Sequence, residues 1–276
     1  MKTWFITGTS TGLGRALTEK LLEQGHRVAA TFRKPNTLAE LKERFGEQLW
    51  TSLLDVTDTA AVKKVVNSAF ATLGQIDVVV NNAGYGLFCA VEEASDHQIE
   101  HQIKTNIIGS IQVIRAALPH LRSQKSGRIL QISSSGGQTT YPNFSYYHTS
   151  KWGIEGFCET IAQEILPFNI GLTIVEPGAH GTSFGSSLVT APIMKAYENT
   201  PAGEVRRAVA NGTFQLTGDV QKTVQAMINV VDVHPAPLRL AMGRDAYFDV
   251  RASLVARLTA LDAQKDLALS SDITNR

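Results

Sequence analysis

The stretch "TWFITGTSTGLGRAL", Thr3 to Leu17, joins a short apolar run to an amphipathic segment through a turn holding three glycines. Strand, glycine turn and helix in that order form the opening unit of a parallel α/β sheet. Gly8 permits the turn off the strand, while Gly12 and Gly14 let backbone approach a pyrophosphate at the helix N-terminus. The first two glycines stand four positions apart, which is not the GxGxxG spacing. Alone, the pattern reads equally as an ordinary glycine-rich turn.

The same alternation continues downstream. Apolar runs at 3–7, 27–32, 50–54, 76–80, 128–133, 171–177 and 238–242 read as buried strands bounded by turn residues. Helical patterns lie between them at 13–24, about 37–44, 58–73, 96–122, 147–166 and about 219–232. The longest opens with Ser95 and Gln98 at capping-box spacing and carries Ile99, Ile103, Ile107, Ile111, Ile114 and Leu118 on one stripe. Strands alternating with long helices imply right-handed crossovers and a doubly wound, Rossmann-type parallel sheet with helices on both faces. No repeat or Pro/Ser-rich linker divides the chain, so residues 1–243 read as a single domain. Beyond Gly243, Val250, Leu254, Leu258 and Leu261 recur at helical spacing before the sequence turns polar. Residues 244–276 therefore read as a helical extension with a polar tail.

Composition narrows the function classes. Of 276 residues, 43% are apolar and 18% charged, and the formal charge is +1, which argues against nucleic-acid binding. Cys89 and Cys158 are too few for a disulfide framework and form no CxxC. No apolar run reaches membrane-spanning length, and the first residues do not make a signal peptide. The expectation is a cytoplasmic protein with no membrane or nucleic-acid partner. The seven histidines are scattered, and His97 and His101 have no carboxylate completing a HExxH-type arrangement, so no metal is expected.

Ligands of doubly wound sheets bind beyond the carboxyl ends of the strands. The second strand ends "ATFRKP", with Phe32 where an acidic residue would accept from ribose hydroxyls and Arg33 beside it. A guanidinium suits a 2′-phosphate, which favours NADP(H) over NAD(H); a solvated basic loop is the plain alternative. Asp55, in "LDVTD", is placed to accept from an adenine amino group or simply to cap the next helix. The fourth strand runs into "NNAG" (81–84), and the fifth into "SSSGG". In "SYYHTSK" (145–151), Tyr147 and Lys151 share a helix face, while Tyr146 is turned about 100° away.

Together these motifs resemble the short-chain dehydrogenase/reductase superfamily over nearly the whole chain. "TGTSTGLG" is similar to its TGxxxGxG, "NNAG" to its fourth-strand motif and "YHTSK" to its YxxxK. "KTNIIGS" supplies the helical Asn106, and "EPGAHGT" the PG-x-x-x-T. The resemblance implies that Tyr147 is a general acid or base, with Lys151 lowering its pKa and bonding the nicotinamide ribose. It implies that Ser134, thirteen residues before Tyr147, holds the carbonyl oxygen. Asn106 would fix a helix irregularity and a water leading from Lys151. Cofactor contacts are expected from Gly8, Ser10, Thr11, Gly12, Leu13, Gly14, Arg33, Asp55, Val56, Asn82, Ala83, Gly84, Pro177, Gly178 and Thr182, besides Tyr147 and Lys151. Pro177, Gly178 and Thr182 would place the carboxamide, and the stretch from 178 to about 215 would form a substrate lid.

Phe88, Cys89, Tyr141, Phe144, Phe184 and Leu188 make the expected substrate wall apolar, so an apolar ketone, aldehyde or secondary alcohol leads. A 3-oxoacyl thioester is the alternative, with Lys195, Arg206 and Arg207 as the nearby cations. A nucleotide sensor without catalysis is the rival of another class; the full Asn106, Ser134, Tyr147 and Lys151 set argues against it. Pairing through the two long helices into a homodimer or tetramer is expected from the resemblance.

Overall fold

Seven of the apolar runs enter one parallel sheet. The computed structural model describes residues 1–213 and 215–273. Its strands are β1 (Thr3–Thr7), β2 (Arg27–Phe32), β3 (Leu49–Leu53), β4 (Val78–Asn81), β6 (Gly127–Ile132), β7 (Ile170–Pro177) and β9 (Arg239–Met242). They lie in the order β3-β2-β1-β4-β6-β7-β9. Two-residue strands β5 (Leu87–Phe88) and β8 (Val189–Thr190) pair separately.

Alternation along β1 shows why both faces must be covered. Trp4 and Ile6 enter one apolar cluster with Leu17, Leu21, Val224 and Met227. Phe5 enters the other, with Val62, Val66, Ile114 and Ile154. Helices α1 (Gly12–Glu23) and α8 (Val220–Val230) therefore cover the first face. Helices α3 (Thr59–Leu73), α5 (Ser110–Gln124) and α6 (Ser145–Ile165) cover the second, while α2 (Ala39–Phe45) lies along β3. This is the expected doubly wound Rossmann-type fold. Strand order reverses between β1 and β4, which opens a crevice at their carboxyl ends.

The helix expected over 96–122 is in three parts: α4 (Asp96–Ile103), a π-helical turn (Lys104–Gly109) and α5. Ser95 and Gln98 form the capping box at its start. The π turn centres on Asn106, whose side chain bonds outside the helix, and ends where Gly109 lies against Val56. The stretch after β7 contains β8 and α7 (Pro201–Ala210), and past β9 come α9 (Arg244–Asp262) and α10 (Lys265–Leu269). Among the described residues no helix is long and apolar enough to cross a membrane.

Candidate active site

The glycine turn is braced from the neighbouring strand. Thr7 Oγ1 accepts from the Asn82 and Ala83 amides, both at 3.1 Å. Asn82 Nδ2 donates back to Thr7 O at 3.0 Å and Gly8 O at 2.8 Å. Gly8 (φ 71°) and Gly12 (φ 61°) occupy the left-handed region that favours glycine. A Cβ on Gly14 would run into Asn82 Nδ2 and Gly8 O, so the protein's own packing requires that glycine. Thr11, ahead of α1, makes no side-chain cap, and the first turn carries no acidic residue. Its uncapped amides suit an anion, and a pyrophosphate fits this loop.

Toward β2 and β3, Arg33 is exposed at the strand end. Asp55 accepts from Thr57 N at 2.9 Å and Thr57 Oγ1 at 2.7 Å. Burial alone would raise its carboxyl, but these bonds and the Arg33 charge outweigh it and hold the group low. The helix cap weighed for Asp55 falls to Asp58, which accepts from Ala60 N and Ala61 N. Val56 is buried against Gly109.

The inner face of α6 carries Tyr147 and Lys151, each 8% exposed. Burial pushes the Tyr147 phenol up to about 12, opposed by hydrogen bonding from Ser134 and reinforced by the Glu155 charge. Burial pulls the Lys151 ammonium down to about 8, against the opposing charge of Glu155. Lys151 Nζ donates to Ile132 O at 2.9 Å and lies 5.6 Å from the Tyr147 ring centre. Ser134 sits at the end of β6, its Oγ accepting from Gly136 N at 3.1 Å. Asn106 Oδ1 accepts from Tyr85 N at 3.1 Å, and Nδ2 donates to Tyr85 O at 2.9 Å and Ser150 Oγ at 3.0 Å. The π turn thus joins the strand end after Gly84 to α6 beside Lys151. Tyr146 turns away, donating its hydroxyl to Val91 O at 2.5 Å.

Aromatic rings continue from Tyr147. Phe144 lies 5.9 Å from it and 4.9 Å from Phe88, and Phe184 lies 5.5 Å from it on the opposite chain segment. Phe184 and Leu188 close over Gly86, and Cys89 is buried beside the wall. Tyr141 is apart from this group: its hydroxyl donates to Asp249 on α9 at 3.1 Å and its ring meets His148. Gly12 faces Thr182 across the crevice, so the stretch after β7 meets the glycine turn. Pro177 ends β7, and Gly178 leaves just enough room for the Asp245 carboxylate, which accepts from Ala179 N at 2.5 Å.

Three groups at the site escaped the sequence reading. Thr7 and Asp245 act through partners distant in the chain. Glu155 lies four residues after Lys151, and that spacing was a usable signal. Of the cations weighed for a thioester, Arg206 is paired with Glu93 and Arg207 donates to Glu198 O, while Lys195 is exposed.

Residues 2–192 match the model of the short chain dehydrogenase family. The chain is 38% identical to Oxidoreductase BOA17 of Botryotinia fuckeliana over 98% of its length and 99% of that protein. A crystal structure of a short-chain dehydrogenase from Streptomyces avermitilis superposes with a TM-score of 0.91 at 33% identity, covering 99% of both chains. The closed form of serine dehydrogenase complexed with NADP+ superposes with a TM-score of 0.73 at 28% identity, over 87% of this chain and 94% of that one. The chain is an oxidoreductase enzyme and belongs to the short-chain dehydrogenase family.

Proposed function

We propose that this enzyme moves a hydride between NADP(H) and an apolar carbonyl or secondary alcohol, with Tyr147 as its acid–base group. The observation that carries the reading is one phenol, buried between Ser134 and Lys151 at the strand ends and bordered by Phe144 and Phe184. The nicotinamide, when bound, supplies or accepts the hydride. Tyr147 donates its phenolic proton to the carbonyl oxygen, and takes it back from the alcohol in reverse. Ser134 holds that oxygen, and Lys151 favours the phenolate by its charge. Asn106 fixes the helix irregularity beside Lys151 and holds the water that leads from it. Gly8, Ser10, Thr11, Gly12, Leu13 and Thr182 are assigned to the pyrophosphate and carboxamide end, and Asp55 and Val56 to the adenine.

NADP(H) over NAD(H) is supported by exposed Arg33 where an acidic residue would select NAD, and by the NADP+ complex of the serine dehydrogenase relative. The apolar substrate is supported by the ring cluster and by neutralisation of Arg206, which removes a cation a thioester carrier would meet. Pairing into a homo-oligomer is part of the reading: Ile108 of the π turn and Trp152 of α6 are exposed on the two long helices.

The test is NADPH and NADH oxidation over a panel of apolar ketones and aldehydes, with acyl thioesters alongside. Tyr147→Phe is expected to lower kcat by about 10²–10⁴-fold. Near-native turnover in that variant would remove Tyr147 from the mechanism. NADPH binding without turnover on any of these carbonyls would overturn the apolar-substrate reading.

A further inference from the structure

Tyr147, Lys151 and Glu155 recur at four-residue intervals on α6 and so form one stripe. Glu155 is 2% exposed. Its Oε1 accepts from Ser133 Oγ at 2.5 Å, and its Oε2 from Gln138 Nε2 at 2.5 Å and Arg239 Nη1 at 2.6 Å. A Cβ on Gly137 would collide with Oε1, so the turn after Ser134 is drawn against the carboxylate. Arg239, on β9, also pairs with buried Glu176 at the end of β7 and with half-exposed Glu159 on α6. Three carboxylates therefore meet one guanidinium.

A clamp between α6, β7 and β9 would be complete with Arg239, Glu159 and Glu176. A third buried carboxylate adds desolvation cost and repulsion. What Glu155 adds is a negative charge behind Lys151, whose buried ammonium otherwise has the Ile132 carbonyl as its bonded partner.

We propose that Glu155 is a positioning residue of the reaction, the buried counter-charge that keeps the Lys151 ammonium charged and retains the proton of the Tyr147–Lys151 pair. This rests on the reading of Tyr147 and Lys151 given above. The groups around Glu155 are Lys151, Cys158 and Glu159 on its own helix, Ser133 after β6, Gln138, Glu176 on β7 and Arg239 on β9. Arg257 of α9 reaches it through Gln138. An anion favours the protonated form of each neighbour, and Glu155 raises Tyr147 and Lys151 alike. Neutralising it therefore lowers both. Glu176, which burial and Glu155 push up to about 7, ionises more readily in that case and offsets part of the effect.

The experiment is the pH profile of kcat for carbonyl reduction with NADPH in the wild type, Glu155→Gln, Glu155→Ala, Glu155→Asp and Ser133→Ala. In Glu155→Gln, Arg239 keeps Glu176 and Glu159, and Glu155→Ala is a second neutral replacement should the first not fold. The alkaline limb, where the pair loses its proton, is expected to move about one pH unit lower in the neutral variants. Glu155→Asp is expected to return it toward the wild type, and Ser133→Ala, which removes a hydrogen bond but no charge, to leave it in place. Neutral variants whose limb stays within about 0.2 unit of wild type, or a Ser133→Ala limb displaced equally, overturn the proposal. Turnover retained in Tyr147→Phe would instead sink the underlying reading; an inactive Tyr147→Phe with an unmoved limb sinks the role of Glu155 alone.

Discussion

Arg206→Met tests what holds the segment after β7, whose Phe184 lies 5.5 Å from Tyr147. The Glu93 carboxylate, its side chain 1% exposed, accepts from Ala90 N at 2.7 Å, from Met194 N at 2.9 Å and from Arg206. One carboxylate thus joins the loop after β5, the stretch before α7 and α7 itself. Methionine keeps much of the arginine stem volume but leaves Glu93 buried with two backbone donors. Removing one partner of a buried ion pair costs about 3–5 kcal/mol, and the two remaining donors place this case near 3 kcal/mol. Segments outside a sheet open sub-globally, so the expected readout is faster hydrogen exchange over 190–210, about 150-fold at 1.4 kcal/mol per factor of ten. Peptides from β1 and β4 serve as the unaffected reference.

The double variant Glu93→Gln with Arg206→Met removes both charges and is expected to recover part of the protection. The pH dependence has a definite sign. Burial alone would raise the Glu93 carboxyl, but bonds from Met194, Arg206 and Ala90 outweigh it and hold the group below its usual range. Its stabilisation is therefore complete above the unfolded value of roughly 4.3 and is lost as pH falls through the lower folded value. Wild-type protection over 190–210 should decline in that acid window, and Arg206→Met should show a weaker dependence. Unchanged exchange over 190–210 in Arg206→Met, or an equal increase across β1 and β4, would refute this role of the Glu93–Arg206 pair.

Arg33→Ala should raise the KM for NADPH about 10–100-fold, the worth of a charge-assisted bond, and leave NADH within a few-fold. Equal losses on both cofactors would remove Arg33 from 2′-phosphate recognition. Gly14→Ala should displace Asn82 and forfeit its bonds to Thr7 and Gly8, costing about 2–4 kcal/mol including overpacking. A thermal scan reads that as a Tm roughly 5–15 °C lower, and an unchanged Tm would show that the turn has slack the packing denies.

What the sequence disclosed depended on periodicity and on motifs local in the chain. Each predicted strand of the main sheet was placed within two residues at its start, because continuous apolar runs bury on both faces. The π turn was less legible: an Ile-rich stripe reads as unbroken helix until Asn106 finds Tyr85 and Ser150. Partners far apart in sequence were hidden altogether. Tyr141 reads as substrate wall, yet its hydroxyl meets Asp249, 108 residues on. Arg206 reads as a free cation beside the lid, yet Glu93, 113 residues earlier, neutralises it. No spacing rule links such residues, because the sheet order that brings them together is itself a tertiary fact.

The adjacent phenols of α6 show how much one helical phase can separate. Tyr147 faces the strand ends with Lys151 and Glu155, and its surroundings raise its pKa and hold its proton. Tyr146, rotated by about 100°, donates to Val91 O, two residues before Glu93. That bond ties the loop carrying Glu93 to the helix carrying Tyr147. The loop after β5, which Glu93 joins to Met194 and Arg206, is thus bonded to the turn of α6 that holds Tyr147, and Phe184 borders the Tyr147 ring. Neither hydroxyl could take the other's place: that of Tyr146 is engaged by the Val91 carbonyl at the surface, while Tyr147 is buried beside Ser134.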